Sequence, residues 1–238
     1  MNPTAIPLEE RIIFALDLAD PGEARALVDR LSGRIRFFKV GLQLFFAGGW
    51  PMVDYIVGKG CKVMLDLKLY DIPATVQLAV RQFANRGVSL TTVHGYGPVV
   101  EAALAAEAGI QILAVTVLTS FGAEQLRELQ YPGTVDDLVL QRAETVLRLG
   151  CHGVVCSARE AALLRGRLGN DFVMVTPGIR PAGADLNDQQ RVATPGRAIA
   201  DGADYLVIGR PIRDAQDPEA CITAVQGEIS AALAAMQR

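Results

Sequence analysis

The feature that most constrains this chain is a set of eight short apolar runs, spread along its length and separated by longer amphipathic stretches. They are Arg11–Asp17, Ile35–Val40, Lys62–Leu67, Ser89–His94, Gln111–Val117, Gly153–Cys156, Phe172–Thr176 and Asp204–Ile208. A strand with one wet face alternates apolar and polar residues. A strand apolar nearly throughout is buried on both faces, as in a parallel sheet covered by helices.

Helical patterns fill most of the gaps. Pro21–Leu31 follows Asp20, a natural cap with proline at the first helical position. Pro73–Arg86 repeats the device, with Asp71 ahead and Gly87 just past the end. Val99–Ala108, Val135–Leu149, Ala158–Leu168, Pro195–Ala200 and Pro218–Met236 follow. Eight strand–helix units of roughly 30 residues each are the size of a βα repeat. They predict an α/β fold, a closed (β/α)8 TIM barrel with a parallel eight-stranded sheet, as one catalytic domain over residues 1–238. The alternative, an open doubly wound sheet that binds a nucleotide, calls for an early G-x-G-x-x-G or Walker A loop, and the sequence has neither.

Composition narrows the function. The formal net charge is −3, so the chain lacks the basic face that general nucleic-acid binding needs. Mean hydropathy is +0.26, yet the charge-free stretch Ala108–Ala123 is polar in places and shorter than the ~18 residues of a spanning helix. The first residues have no basic segment followed by an apolar one, so a cytoplasmic protein without a membrane segment is expected. The cysteines, Cys61, Cys151, Cys156 and Cys221, form no C-x-x-C pair and predict reduced, mostly buried thiols.

In a barrel of this kind the active site lies at the C-terminal ends of the strands. The first run ends at Asp17, the second carries Lys39, and the third reads Leu65-Asp66-Leu67-Lys68-Leu69. Side chains alternate along a strand, so Asp66 and Lys68 share the face opposite the leucines. Asp71 follows in the loop. Four or five charges of mixed sign therefore converge, and such clusters shift pKa values and mark sites of chemistry. A lysine held between carboxylates stays protonated, which suits a proton donor better than a Schiff-base nucleophile. Asp17 and Asp66 could instead hold magnesium, against competition from Lys39 and Lys68. His94 reads as a satisfied barrel histidine.

The second half supplies VTPGIRP (175–181) after the seventh run and Ile208-Gly209-Arg210-Pro211 at the eighth. Barrel phosphate sites use these two loops: glycine lets backbone approach an anion, and arginine offers a forked charged donor. The polar segment Arg180–Pro195 has no helical pattern, which predicts a lid over the ligand.

Asp66-Leu67-Lys68-Leu69-Tyr70-Asp71-Ile72-Pro73 resembles the D-x-K-x-x-D-I-P signature of the orotidine 5′-phosphate decarboxylase family. FALDLAD (14–20), FFKVGLQLF (37–45), VHGYGP (93–98), AVTVLTS (114–120), VTPGIRP, DQQRVATP (188–195) and VIGRPI (207–212) extend the resemblance over nearly the whole chain, toward the compact bacterial single-function branch. The resemblance implies a (β/α)8 homodimer without metal or organic cofactor. It would convert orotidine 5′-monophosphate to uridine 5′-monophosphate and carbon dioxide, the last step of pyrimidine nucleotide synthesis.

Lys39, Asp66, Lys68 and Asp71 match the family's Lys-Asp-Lys-Asp array, with Lys68 as proton donor to C6. Asp71 and Thr75 match residues that reach into the partner's site. Asp17 and Lys39 match ribose contacts, and Thr119 a pyrimidine contact. Arg180, Gln189, Gly209 and Arg210 match the phosphate grip, with Gln189 on the closing loop. Two rivals stand beside this reading: a magnesium-dependent sugar-phosphate decarboxylase or aldolase of the same barrel group, and a non-catalytic phosphate-binding sensor.

Overall fold

Eight parallel strands pair in chain order, and the first closes on the last: β1 (Ile12–Ala15), β2 (Phe37–Gly41), β3 (Lys62–Leu69), β4 (Val88–His94), β5 (Gln111–Val115), β6 (Gly153–Val155), β7 (Val173–Thr176) and β8 (Tyr205–Ile208). The computed structural model describes residues 6–181 and 193–237. Helices α1 (Leu8–Arg11), α2 (Pro21–Leu31), α3 (Leu42–Gly58), α4 (Pro73–Arg81), α5 (Gly97–Leu104), α6 (Ala123–Glu128), α7 (Val135–Arg148), α8 (Ala158–Leu168), α9 (Pro195–Ala200), α10 (Arg210–Arg213) and α11 (Pro218–Met236) lie between and after the strands. This is the expected (β/α)8 TIM barrel. No helix of the described residues is long and apolar enough to cross a membrane.

The apolar runs divide into two cores because successive side chains point to opposite faces of a strand. Ile12, Phe14, Phe38, Val40, Val63 and Leu65 belong to the cluster shared with the helices. Ile13, Phe37, Met64, Leu90, Leu113, Val155, Val173 and Tyr205 fill the barrel. Continuing the inward register upward from Ile13, Phe37 and Met64 gives Ala15, Lys39 and Asp66. The same alternation that packs the interior therefore brings a lysine and an aspartate to its mouth.

Several boundaries differ from expectation. Arg11 ends α1 and does not begin β1, which stops at Ala15, so Asp17 lies in the following loop. Helix α4 ends at Arg81, five residues early; turns then run to Gly87, whose φ of +71° is left-handed. Helix α3 has no counterpart in the sequence reading. Its segment LQLFFAGGWPMVDYIVG carries Gly48, Gly49 and Pro51, and it is two helices meeting at a kink where Gly49 has φ 55° and ψ −151°. Helix breakers at its centre hide a helix that packing against the barrel imposes. The four cysteines are unpaired, three of them buried.

Candidate active site

A cavity of about 270 Å³ opens at the C-terminal ends of the strands, lined by Asp17, Lys39, Asp66, Lys68, Thr119, Arg180, Gly209, Arg210 and Arg213 among others. Strand β3 sets its chemistry. Asp66 pairs in register with Gly41 of β2, and its carboxylate is nearly buried. One oxygen, Oδ2, accepts from Lys68 Nζ at 2.8 Å and lies 3.5 Å from Lys39 Nζ. The other, Oδ1, accepts from Thr92 Oγ1 at 2.8 Å. Lys39 Nζ also donates to Asp17 Oδ1 at 2.9 Å. Gly41 keeps this junction open: a Cβ there would lie 3.0 Å from Lys39 Nζ and 3.3 Å from Asp17 Oδ1.

Lys68 reaches Asp66 by an unusual backbone. Its φ is +48°, left-handed for a residue with a side chain, and the β3–β4 register shifts between Leu65 and Leu69. Strain of this type is held in place by surrounding contacts and clusters at functional sites. Here the contact is Thr92, whose Oγ1 accepts from the Lys68 backbone N–H at 3.0 Å while donating to Asp66. Thr92 was not singled out from the sequence; it is one of two adjacent buried threonines in β4, Thr91 and Thr92.

The charges sustain one another. Burial alone would push Asp66 up, but Lys39 and Lys68, together with the hydrogen bonds from Lys68 and Thr92, hold its carboxyl below the ordinary value. Burial alone would push Lys39 down, but Asp66 and Asp17 outweigh it and keep the ammonium above its ordinary value. His94, half-buried against the Tyr70 ring, is pushed down by burial, then by Arg142 and Lys68, which favours the neutral imidazole.

The far side of the cavity is arginine-rich. Gly178 has φ +81°, a turn conformation open to glycine at little cost, and it leads into the buried Arg180. Gly209 precedes α10, which begins at Arg210. Arg213, at the end of α10, was not among the expected site residues; it is paired with the neighbouring Asp214. The pairing with Asp214 raises its pKa further.

Asp17, Lys39, Asp66, Lys68, Thr119, Arg180, Gly209 and Arg210 are thus gathered around one space. Asp71 and Thr75 are not. Both are exposed outside the cavity lining, and Asp71 Oδ1 accepts from the Ile72 backbone N–H at 2.6 Å. Gln189 and most of the expected lid lie outside the described residues. Among the described residues no group of three or more His, Cys, Asp or Glu side chains could hold a metal ion.

The lining carries two carboxylates and five cationic side chains, and both carboxylates sit at the β1–β3 end. A family model described as orotidine 5′-phosphate decarboxylase / HUMPS matches residues 10–225. The chain belongs to this family. It is 49% identical over 98% of its length to an orotidine 5′-phosphate decarboxylase of Rhodopseudomonas palustris, covering 99% of that protein. It is 48% identical, again over 98% of its length, to the one from Afipia carboxidovorans, covering 100% of it. The crystal structure of orotidine 5′-phosphate decarboxylase from Lactobacillus acidophilus superposes with a TM-score of 0.80 at 35% identity, over 92% of this chain and 99% of that one.

Proposed function

We propose that this chain decarboxylates orotidine 5′-monophosphate to uridine 5′-monophosphate and carbon dioxide, acting in the cytoplasm as one catalytic domain. The observation that carries the reading is the Lys39–Asp66–Lys68 array, set in a cavity whose other end is lined by Arg180 and Arg210. The substrate carries one carboxylate and a phosphate that is mostly dianionic at neutral pH, since its second pKa is about 6. The relatives bearing the decarboxylase name favour this chemistry over the sugar-phosphate branch of the family.

In this reading Arg180, Gly209, Arg210 and Gln189 hold the phosphate, Asp17 and Lys39 the ribose hydroxyls, and Thr119 the pyrimidine. The substrate carboxylate then lies against Asp66, which its lysine partners keep ionised. Two like charges 4 Å apart repel by about 4 kcal/mol at an effective dielectric of 20. The bond from C6 to the carboxylate carbon breaks, carbon dioxide departs, and the electron pair stays on C6. The Lys68 ammonium, already 2.8 Å from Asp66, stabilises that carbanion and gives it a proton. The lysine is reprotonated from solvent. Each 1.4 kcal/mol of selective transition-state stabilisation is worth about tenfold in rate, so repulsion is only one contribution. Binding at the distant phosphate supplies another.

The exposed positions of Asp71 and Thr75 support a homodimer in which they complete the partner's site. Leu42, Phe46, Tyr70 and Ile72, all exposed on segments that follow β2 and β3, offer apolar surface for such a contact. The test mixes two variants, Lys68→Ala and Asp71→Ala, each expected to be inactive alone. Shared sites predict that random reassortment restores about a quarter of the parent activity, because one site of each mixed dimer is intact. No recovery from a demonstrably mixed dimer would confine Asp71 to its own chain. The activity itself is tested by product: uridine 5′-monophosphate and carbon dioxide in equal amounts are expected, and an unchanged nucleotide would reject the assignment.

A further inference from the structure

Arg213 joins the two ends of the cavity. Its Nη1 donates to the backbone carbonyl of Asp17 at 3.0 Å, linking the loop after β1 to the helix after β8. The fork is held from behind by Asp214, which accepts from Nε at 2.6 Å and from Nη2 at 3.0 Å. Each of the three guanidinium nitrogens therefore has a partner within the chain. A guanidinium anchored in two places is a rigid strut.

What it braces matters for the site. Asp17 is the more exposed member of the charge array, its side chain 55% accessible, yet it is a direct partner of the buried Lys39. Strand β1 ends at Ala15, so Asp17 has no ladder bonds of its own. The Arg213 bond therefore supplies a fixed point for the Asp17 backbone. Arg213 and Arg210 stand one turn apart in α10, and the backbone N–H groups of Arg213 and Asp214 bond to Gly209 and Arg210 at 3.0 and 2.8 Å. The turn that presents Arg210 thus also carries the brace.

We infer that Arg213 is a positioning residue that holds the Asp17 carboxylate in place for Lys39 and the substrate's ribose, rather than a phosphate ligand. The inference rests on the proposed function. Four proteins test it: the parent, Arg213→Met, Asp17→Asn and the double variant, each assayed for kcat, KM and thermal midpoint. In the parent background Arg213→Met should lower kcat/KM for orotidine 5′-monophosphate by about tenfold, the scale of one hydrogen bond from a charged donor, mainly through KM. In the Asp17→Asn background the same change should cost less than about twofold, since no carboxylate remains to be positioned. Arg213→Lys, which keeps a donor for the carbonyl, should recover much of the loss.

An equal loss in both backgrounds, or none in the parent, would overturn the inference. A loss of thermal midpoint without a change in kcat/KM would also do so. A parent inert toward orotidine 5′-monophosphate would reject the proposed function and leave the brace testable. Its coupling to Asp17 is then read from uridine 5′-monophosphate affinity in the same four proteins.

Discussion

At the β1–β3 end of the cavity every charge faces one of opposite sign: Asp17 with Lys39, Lys39 with Asp66, Asp66 with Lys68. At the β7–β8 end Arg180, Arg210 and Arg213 line the space, and Arg213 is held from behind by Asp214, which lies outside the lining. The first arrangement is balanced and pre-organised, with a threonine fixing both a carboxylate and a strained lysine backbone. The second presents guanidinium groups to the space. A balanced array suits chemistry, because its groups are oriented before the substrate arrives and reorganise little. A group of guanidiniums facing one space suits capture of an anion.

The largest effect should come from removing the proposed proton donor. Lys68→Ala is expected to lower kcat by at least about 10³-fold, within the range for general acid catalysis, while uridine 5′-monophosphate still binds measurably. Near-normal turnover would remove Lys68 from that role. Next, Arg210→Ala should lower kcat/KM for orotidine 5′-monophosphate by about 100-fold, from the loss of charged hydrogen bonds to phosphate. Turnover of the nucleoside orotidine should be unchanged. An equal loss with the nucleoside would place Arg210 outside the phosphate grip.

Asp66→Asn probes the balanced end through stability. Removing one member of a buried pair costs about 3 kcal/mol. The Asp66 pKa is depressed by folding, so its contribution is whole above about pH 4 and is lost as pH falls through the depressed value. The Lys39 pKa is raised by folding, so its contribution is whole below about pH 10 and is lost as pH rises through the raised value. Denaturant unfolding of parent and variant should therefore differ by a constant amount from pH 5 to 9, and converge in acid. A difference that varies across the neutral range would contradict the assigned directions. The smallest effect is expected from Gly41→Ala, whose methyl would crowd Lys39 and Asp17; KM should rise by about tenfold or less with the fold intact.

The two ends were not equally legible in the sequence. The strands were, because burial on both faces leaves continuous apolar runs, and from them the rule for barrel sites gave Lys39, Asp66, Lys68 and Arg210. Lys68 was placed inward by simple alternation, but the structure reaches that position through a left-handed residue and a register shift that alternation does not contain. Thr92 and Arg213 were missed because each acts through a contact made by distant parts of the chain, 24 residues from Lys68 for one and 196 from Asp17 for the other. Helix α3 was missed because its glycines and proline oppose the packing that forms it. Thr75 entered only through family resemblance, and Asp71 first as a loop charge expected to converge with the others; the single chain leaves both outside the cavity lining.

The central claim is that the balanced array performs the decarboxylation with the chain's own lysine and carboxylates. The most direct test follows the orotate ring's ultraviolet absorbance after purified protein meets orotidine 5′-monophosphate, with and without a strong chelator. The account predicts rapid loss of absorbance with uridine 5′-monophosphate as product, at the same rate in both samples. Activity abolished by the chelator and restored by magnesium, or no loss of absorbance from folded protein that binds the nucleotide, would contradict it.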